Sequence, residues 1–133
     1  MSPFYAVVAA RADSRCEYCH APQNAFNFGF EVEHIYPRSA GGNNSYDNLA
    51  LSCASCNGFK SDAVDGWDET EAELVPLFHP RRDLWQQHFA FDFELNQVVG
   101  LTAVGRVTAI RLKMNSLFQS RARLHWISMG LYP

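Results

Sequence analysis

Cys16-Glu17-Tyr18-Cys19, then Glu33-His34-Ile35, then Asn48-Leu49-Ala50-Leu51-Ser52-Cys53-Ala54-Ser55-Cys56-Asn57: these segments decide how the chain is read. Two Cys-x-x-Cys knuckles bracket an acidic–imidazole pair, and two asparagines follow that pair. The chain contains four cysteines, and the two knuckles use them all. In a reducing compartment disulfides are rare, and paired knuckles there point to metal. A closed tetrahedral site of four thiolates suits zinc. Cys16, Cys19, Cys53 and Cys56 are therefore the expected structural zinc ligands. A redox Cys-x-x-Cys or two pairs of free buried thiols are the alternatives. The long separation of the knuckles departs from a compact zinc finger and implies that the ion staples an insertion.

Outward from this bracket, periodicity assigns the elements. Pro3 to Ala12 reads as a short helix, with Ser2 as cap and Pro3 at its first position. Phe26, Phe28, Phe30 and Val32 alternate as in a strand that Pro37 ends. Arg38 to Tyr46 contains Gly41-Gly42 and Asn43-Asn44 and reads as a loop. Leu49 to Leu51 is a second short strand, and Ser55 to Asp62 a helix. Asp65 to Glu73 reads as an acidic, solvated connector. Phe89, Phe91 and Phe93 alternate again, and Gln97 to Leu101 is expected to pair with them across Glu94-Leu95-Asn96. Val107 to Met129 is helical by spacing, with a break at Asn115-Ser116 and a stop at Gly130.

At 133 residues, 47% apolar, the chain has enough apolar content for a real core. No apolar run reaches the roughly 20 residues that span a bilayer. The N-terminus lacks the pattern of a signal peptide, so a cytoplasmic location is expected. The formal net charge of −3 is unevenly spread. Residues 61–100 carry −7 and residues 101–133 carry +5. The last third is thus a candidate footprint for a polyanion. The competing reading is an amphipathic helix with solvated basic residues.

The order Cys-x-x-Cys, Glu33-His34-Ile35-x-Pro37, Gly41-Gly42, Asn48-Leu49-x-Leu51-x-Cys53-x-x-Cys56-Asn57-x-x-Lys60 closely resembles the HNH endonuclease family in its zinc-knuckle form. The resemblance covers about a third of the chain directly. It implies an α+β fold with a small ββα-metal core stapled by the four cysteines. Residues 1–64 would be that core, and 65–133 a C-terminal extension of a strand pair and helices packed on it.

By the same resemblance His34 is the general base and Asn48 the catalytic-loop brace. Glu33 and Asn57 hold one catalytic divalent ion. The last His of the family name is Asn here, and Glu replaces the commoner Asp before the base. An amide oxygen in place of imidazole shifts ion preference toward Mg2+ or Mn2+.

The residue chemistry suits phosphodiester hydrolysis independently. A histidine titrating near neutrality can deprotonate water, and a hard ion can stabilise the phosphate. Adjacent strand residues point to opposite faces, so Glu33 and His34 meet one ion only if the strand twists, bulges or ends there. Lys60 and Arg38 are candidate phosphate contacts, with a helix-end cation as the other reading of Lys60. His20 reads as a knuckle surface residue, and His79, His88 and His125 as structural. The expected function is hydrolysis of duplex DNA with low sequence specificity. The alternatives are a catalytically inactive, zinc-stabilised nucleic-acid-binding or scaffold module, and an RNA-directed or toxin-like nuclease.

Overall fold

In the computed structural model, which describes residues 2–133, three antiparallel two-stranded ribbons are laid against five helices. The fold is α+β. Helix α1 (Tyr5–Arg11) leads to the first knuckle. Strand β1 (Glu31–His34) pairs with β2 (Leu49–Ser52), with Glu33 opposite Ala50 and His34 opposite Leu49. Helix α2 (Ala54–Lys60) follows directly and completes a ββα unit. The Cys53 sulfur receives the Cys56 amide at the start of α2, so a zinc-ligand candidate is also the helix cap.

The first strand is shorter than the alternation of phenylalanines predicts. Phe26, Phe28 and Phe30 lie outside it and pack edge to face on one another, Phe26 also meeting Trp126. Their alternation marks an aromatic cluster instead of a ladder, because no neighbouring strand is there to bond them.

The extension contains more strand than the sequence indicates. The acidic stretch expected to be a connector folds as β3 (Asp65–Asp68) and β4 (Glu73–Pro76). Asp68 is the reason such polar residues hold a hairpin. One of its oxygens accepts the Glu71 amide in the turn, and both oxygens bind the Arg106 guanidinium, each at 3.0 Å. After a single helical turn, α3 (Trp85–His88), strands β5 (Phe89–Asp92) and β6 (Gln97–Gly100) pair as expected.

Helix α4 (Ala103–Arg111) starts four residues earlier than the apolar spacing suggests, because the Thr102 side chain caps the Gly105 amide. Helix α5 (Leu117–Ser128) begins at the expected break, capped by Ser116. Gly105 lets α4 lie on β6 and the end of α3. A Cβ there would sit 2.0 Å from the His88 carbonyl oxygen.

Core and extension are joined at the knuckle. The Trp85 indole N–H donates to the Tyr18 carbonyl at 2.8 Å, the Tyr132 hydroxyl donates to the Cys19 carbonyl, and Arg81 pairs with Glu17. His20 stacks on Trp85 at 4.1 Å between ring centres. Among the described residues, no helix is long and apolar enough to cross a membrane.

Two of the basic residues in the last third are spent on the fold. Arg123 is fully buried, donates to the carbonyls of Met114 and Asn96, and lies over the rings of Phe91 and Tyr132. Arg106 is the partner of Asp68. Arg111, Lys113 and Arg121 stay exposed.

Candidate nuclease site and zinc centre

The four cysteine sulfurs lie within 4.8 Å of one another and all four residues are buried. A tetrahedral zinc with Zn–S near 2.3 Å requires sulfurs about 3.8 Å apart. The Cys19 and Cys53 sulfurs are 3.7 Å apart. The donors thus fit zinc in both identity and spacing. Without an ion, the close thiols favour one thiolate and push the Cys53 and Cys56 thiols up. Hydrogen bonds from Cys16, Cys53 and Cys56 hold the Cys19 thiol well below its ordinary range. Among the described residues, this is the one group of three or more His, Cys, Asp or Glu side chains spaced to hold an ion.

Pleating separates Glu33 from His34. Glu33 turns inward and is 5% exposed. Its carboxylate accepts the Tyr18 hydroxyl from inside the first knuckle and pairs with the Lys60 ammonium at 3.3 Å. Burial pushes the Glu33 carboxyl up, while Lys60 and Tyr18 oppose that shift. Burial, and then the neighbouring Glu33 charge, push Tyr18 well above the usual phenol range, so it stays a donor.

Lys60 also donates to the Ile35 carbonyl at 2.9 Å and is 1% exposed. An ammonium so buried, and spent on a carboxylate and backbone carbonyls, does not reach a phosphate. The expected phosphate contact of Lys60 gives way to a structural one.

His34 occupies the other face, half-buried at the strand end. Its Nε2 lies 2.7 Å from Asn44 Oδ1. The same oxygen accepts from Arg38 at 3.2 Å, which fixes it as oxygen rather than amide nitrogen. A carbonyl oxygen only accepts, so Nε2 carries the hydrogen and Nδ1 carries the lone pair. The sequence marks Asn44 only as a loop residue. Nothing in its local spacing distinguishes it from Asn43, whose side chain caps the Ser45 amide.

Asn48 ties the loop together. Its Oδ1 accepts the Tyr36 amide at 2.8 Å, and its Nδ2 donates to the carbonyls of Tyr36 and Asn43, each at 2.9 Å. These bonds tie both ends of the 36–48 loop together behind His34. Gly42 is required at the same place, since a Cβ would lie 1.7 Å from the Tyr36 carbonyl oxygen.

Asn57 is half-buried one turn before Lys60 on α2. Residues three apart share a helix face, so Asn57 lies on the same side of α2 as Lys60. Its side chain has no hydrogen-bond partner among the described residues, leaving the amide oxygen free for a cation. The fit to a hard divalent ion is therefore partial. Asn57 is available, whereas Glu33 is held by Lys60 and Tyr18.

Residues 16–63 match the family model described as HNH endonuclease. No curated protein and no solved structure matches the chain. The ββα unit with its four-cysteine cluster is thus HNH-like, over the stretch that carries the motif.

Proposed function

We propose that the HNH-type unit at residues 16–63 makes this chain a metal-dependent endonuclease acting on DNA phosphodiester bonds, with His34 as general base. The observation that carries this reading is the His34–Asn44–Arg38 contact at the mouth of a loop braced by Asn48. With Nε2 committed to Asn44, Nδ1 takes the proton from the attacking water. Asn44 holds the ring and its tautomer, and Asn48 holds the loop that carries Asn44. Arg38 is exposed beside them and offers its charge to the substrate phosphate.

Asn57 and Glu33 are the residues that would hold Mg2+ or Mn2+, with Lys60 yielding the Glu33 carboxylate. Such an ion supplies Lewis-acid stabilisation of the phosphate and of the leaving oxygen. The zinc does no chemistry. It fixes the two ends of the ββα segment.

The engagement of Glu33 with Lys60 favours a second reading, a zinc-stabilised nucleic-acid-binding or scaffold module without catalysis. Plasmid nicking with Mg2+ or Mn2+ separates the two. The wild type is expected to nick and His34→Ala to lose nicking while keeping its zinc. A folded, zinc-loaded wild type that cuts under neither ion refutes the enzyme reading.

A further inference from the structure

The extension places a turn against the loop that carries the candidate site. The chain leaving β4 is anchored by the Leu77 amide on the Val64 carbonyl and by the Phe78 amide on the Thr108 hydroxyl. It then closes a tight turn. The Arg82 and Asp83 amides donate to the His79 carbonyl, and the His79 amide donates to the Asp83 carboxylate.

The Arg81 amide donates to His79 Nδ1 at 3.1 Å. His79 Nδ1 is therefore the acceptor and Nε2 carries the hydrogen. His79 is 8% exposed, and its Nε2 has no protein partner among the described residues and is open to solvent, so it can donate to a ligand.

That donor stands at the junction of two cavities. One, of about 150 Å³, lies against Ile35, Lys60 and Phe78. The other, of about 320 Å³, lies against Gly42, Asn43, Ser45 and Asn48. Tyr36, His79 and Arg82 line both. The larger is of the size that takes a small polar ligand.

Three of its lining side chains can donate to an anion, and one, Asp47, is a carboxylate. Arg82 is an exposed guanidinium, Tyr36 contributes a hydroxyl, and His79 an N–H. Burial, and then the nearby Arg82 charge, hold His79 below its ordinary value, so it faces the cavity as a neutral donor. The two carboxylates nearby do not oppose an anion fully. Asp83 is turned to the His79 amide, and Asp47 lies in the field of Arg11.

Tyr36 follows His34 by two residues, just past the end of β1 where the chain bends. The Ile35 amide, which bonds the Asn48 carbonyl, pins that bend to the other end of the loop.

We propose that His79 and Arg82 of the extension form, with Tyr36, a phosphate-binding subsite that holds the nucleic-acid backbone one step away from His34. This rests on the nucleic-acid reading above but not on catalysis. It also assigns the extension a task. The ββα unit presents the reacting groups, and the 77–83 turn supplies part of the track along which the strand lies.

The test is fluorescence anisotropy of a labelled 20-base-pair DNA duplex, from 50 to 200 mM salt, in a His34→Ala background that cannot cut. Arg82→Gln is expected to weaken binding about tenfold at low salt. It should also lower the slope of log K against log salt by about 0.9, because one phosphate fewer is neutralised. His79→Phe keeps a ring against Tyr36 but removes the N–H. It should weaken binding without changing the slope, because the deleted donor is neutral. Arg121→Gln on α5 is the control for a general charge effect, and its change should be smaller.

Binding and slope unchanged in both Arg82→Gln and His79→Phe overturn the subsite, as does an Arg121→Gln effect equal to that of Arg82→Gln. Should His79→Phe fail to fold, the exposed Arg82 still decides the question. A wild type that binds with these dependences but never nicks leaves the subsite standing and refutes only the endonuclease. A His34→Ala protein that binds no duplex overturns both.

Discussion

Lys60→Met tests the buried ion pair under the candidate site. Methionine fills nearly the same volume, so the perturbation is mainly the loss of charge. Three interactions disappear: the 3.3 Å pair with Glu33, the 2.9 Å bond to the Ile35 carbonyl and a long 3.5 Å approach to the His34 carbonyl. Removing one partner of a buried pair costs about 3–5 kcal/mol, because a bare charge is left in a poor solvent.

Here the cost has a ceiling, since Glu33 can protonate. That escape costs about 1.4 kcal/mol for each pH unit above its ordinary value near 4.5. The ceiling is about 5 kcal/mol at pH 8 and about 2 kcal/mol at pH 6.

The sign follows from the direction of the shift. The folded-state value of Glu33 is already raised by burial, and it rises further without Lys60. The stability tied to that raised value is present below the unfolded value and is lost as pH climbs through the folded one. The variant should therefore suffer more at high pH, losing about 4 kcal/mol at pH 8 and about 2 kcal/mol at pH 6.

Urea unfolding with zinc present, followed by tryptophan fluorescence, should show this. With a slope near 2 kcal/mol per molar, the midpoint should fall by about 2 M at pH 8 and by about 1 M at pH 6. Glu33→Gln combined with Lys60→Met should recover part of the loss, because no charge remains buried. A fall of under about 0.5 M at both pH values would refute the buried-pair argument.

Other outcomes follow from the same geometry. Removing zinc, by chelation or by Cys56→Ser, should unfold the N-terminal half, seen by circular dichroism. Structural zinc contributes roughly 10–16 kcal/mol in small domains, as much as a whole domain's stability. Metal analysis of pure protein should give one tightly held zinc per chain. Asn48→Ala removes three hydrogen bonds and should cost about 2–3 kcal/mol by thermal melting while zinc content stays intact. Gly58→Ala, in the middle of α2 with open space at its Cβ, should stabilise by up to about 1 kcal/mol, whereas Gly105→Ala should undock α4. Asn44→Ala should lower nicking about tenfold at pH 7 with little change in duplex affinity, since it frees the His34 ring without removing it.

The ββα unit is legible in the sequence because its signals are local. Knuckle spacing, the Gly41-Gly42 turn and the strand-length apolar run at Leu49 each act over a few residues. The β3–β4 ribbon is not legible. What makes Asp65 to Glu73 fold is Asp68 meeting Arg106, 38 residues away. The basic residues of the last third mislead for the same reason. Arg106 and Arg123 look like a surface charge until the fold buries their partners around them.

The sequence already sets Glu33 and His34 on opposite faces of a strand, but not what each face meets. Residue types and their spacing were enough for the four-cysteine cluster and the α+β class, because a four-thiolate cluster and a ββα unit need particular residues at particular intervals. Three relations came from packing alone: Glu33 faces Lys60 and Tyr18, Asn44 meets the His34 ring, and His79 and Arg82 reach the loop from the extension. They depend on which faces are buried, and burial is a property of the whole chain, not of any window along it.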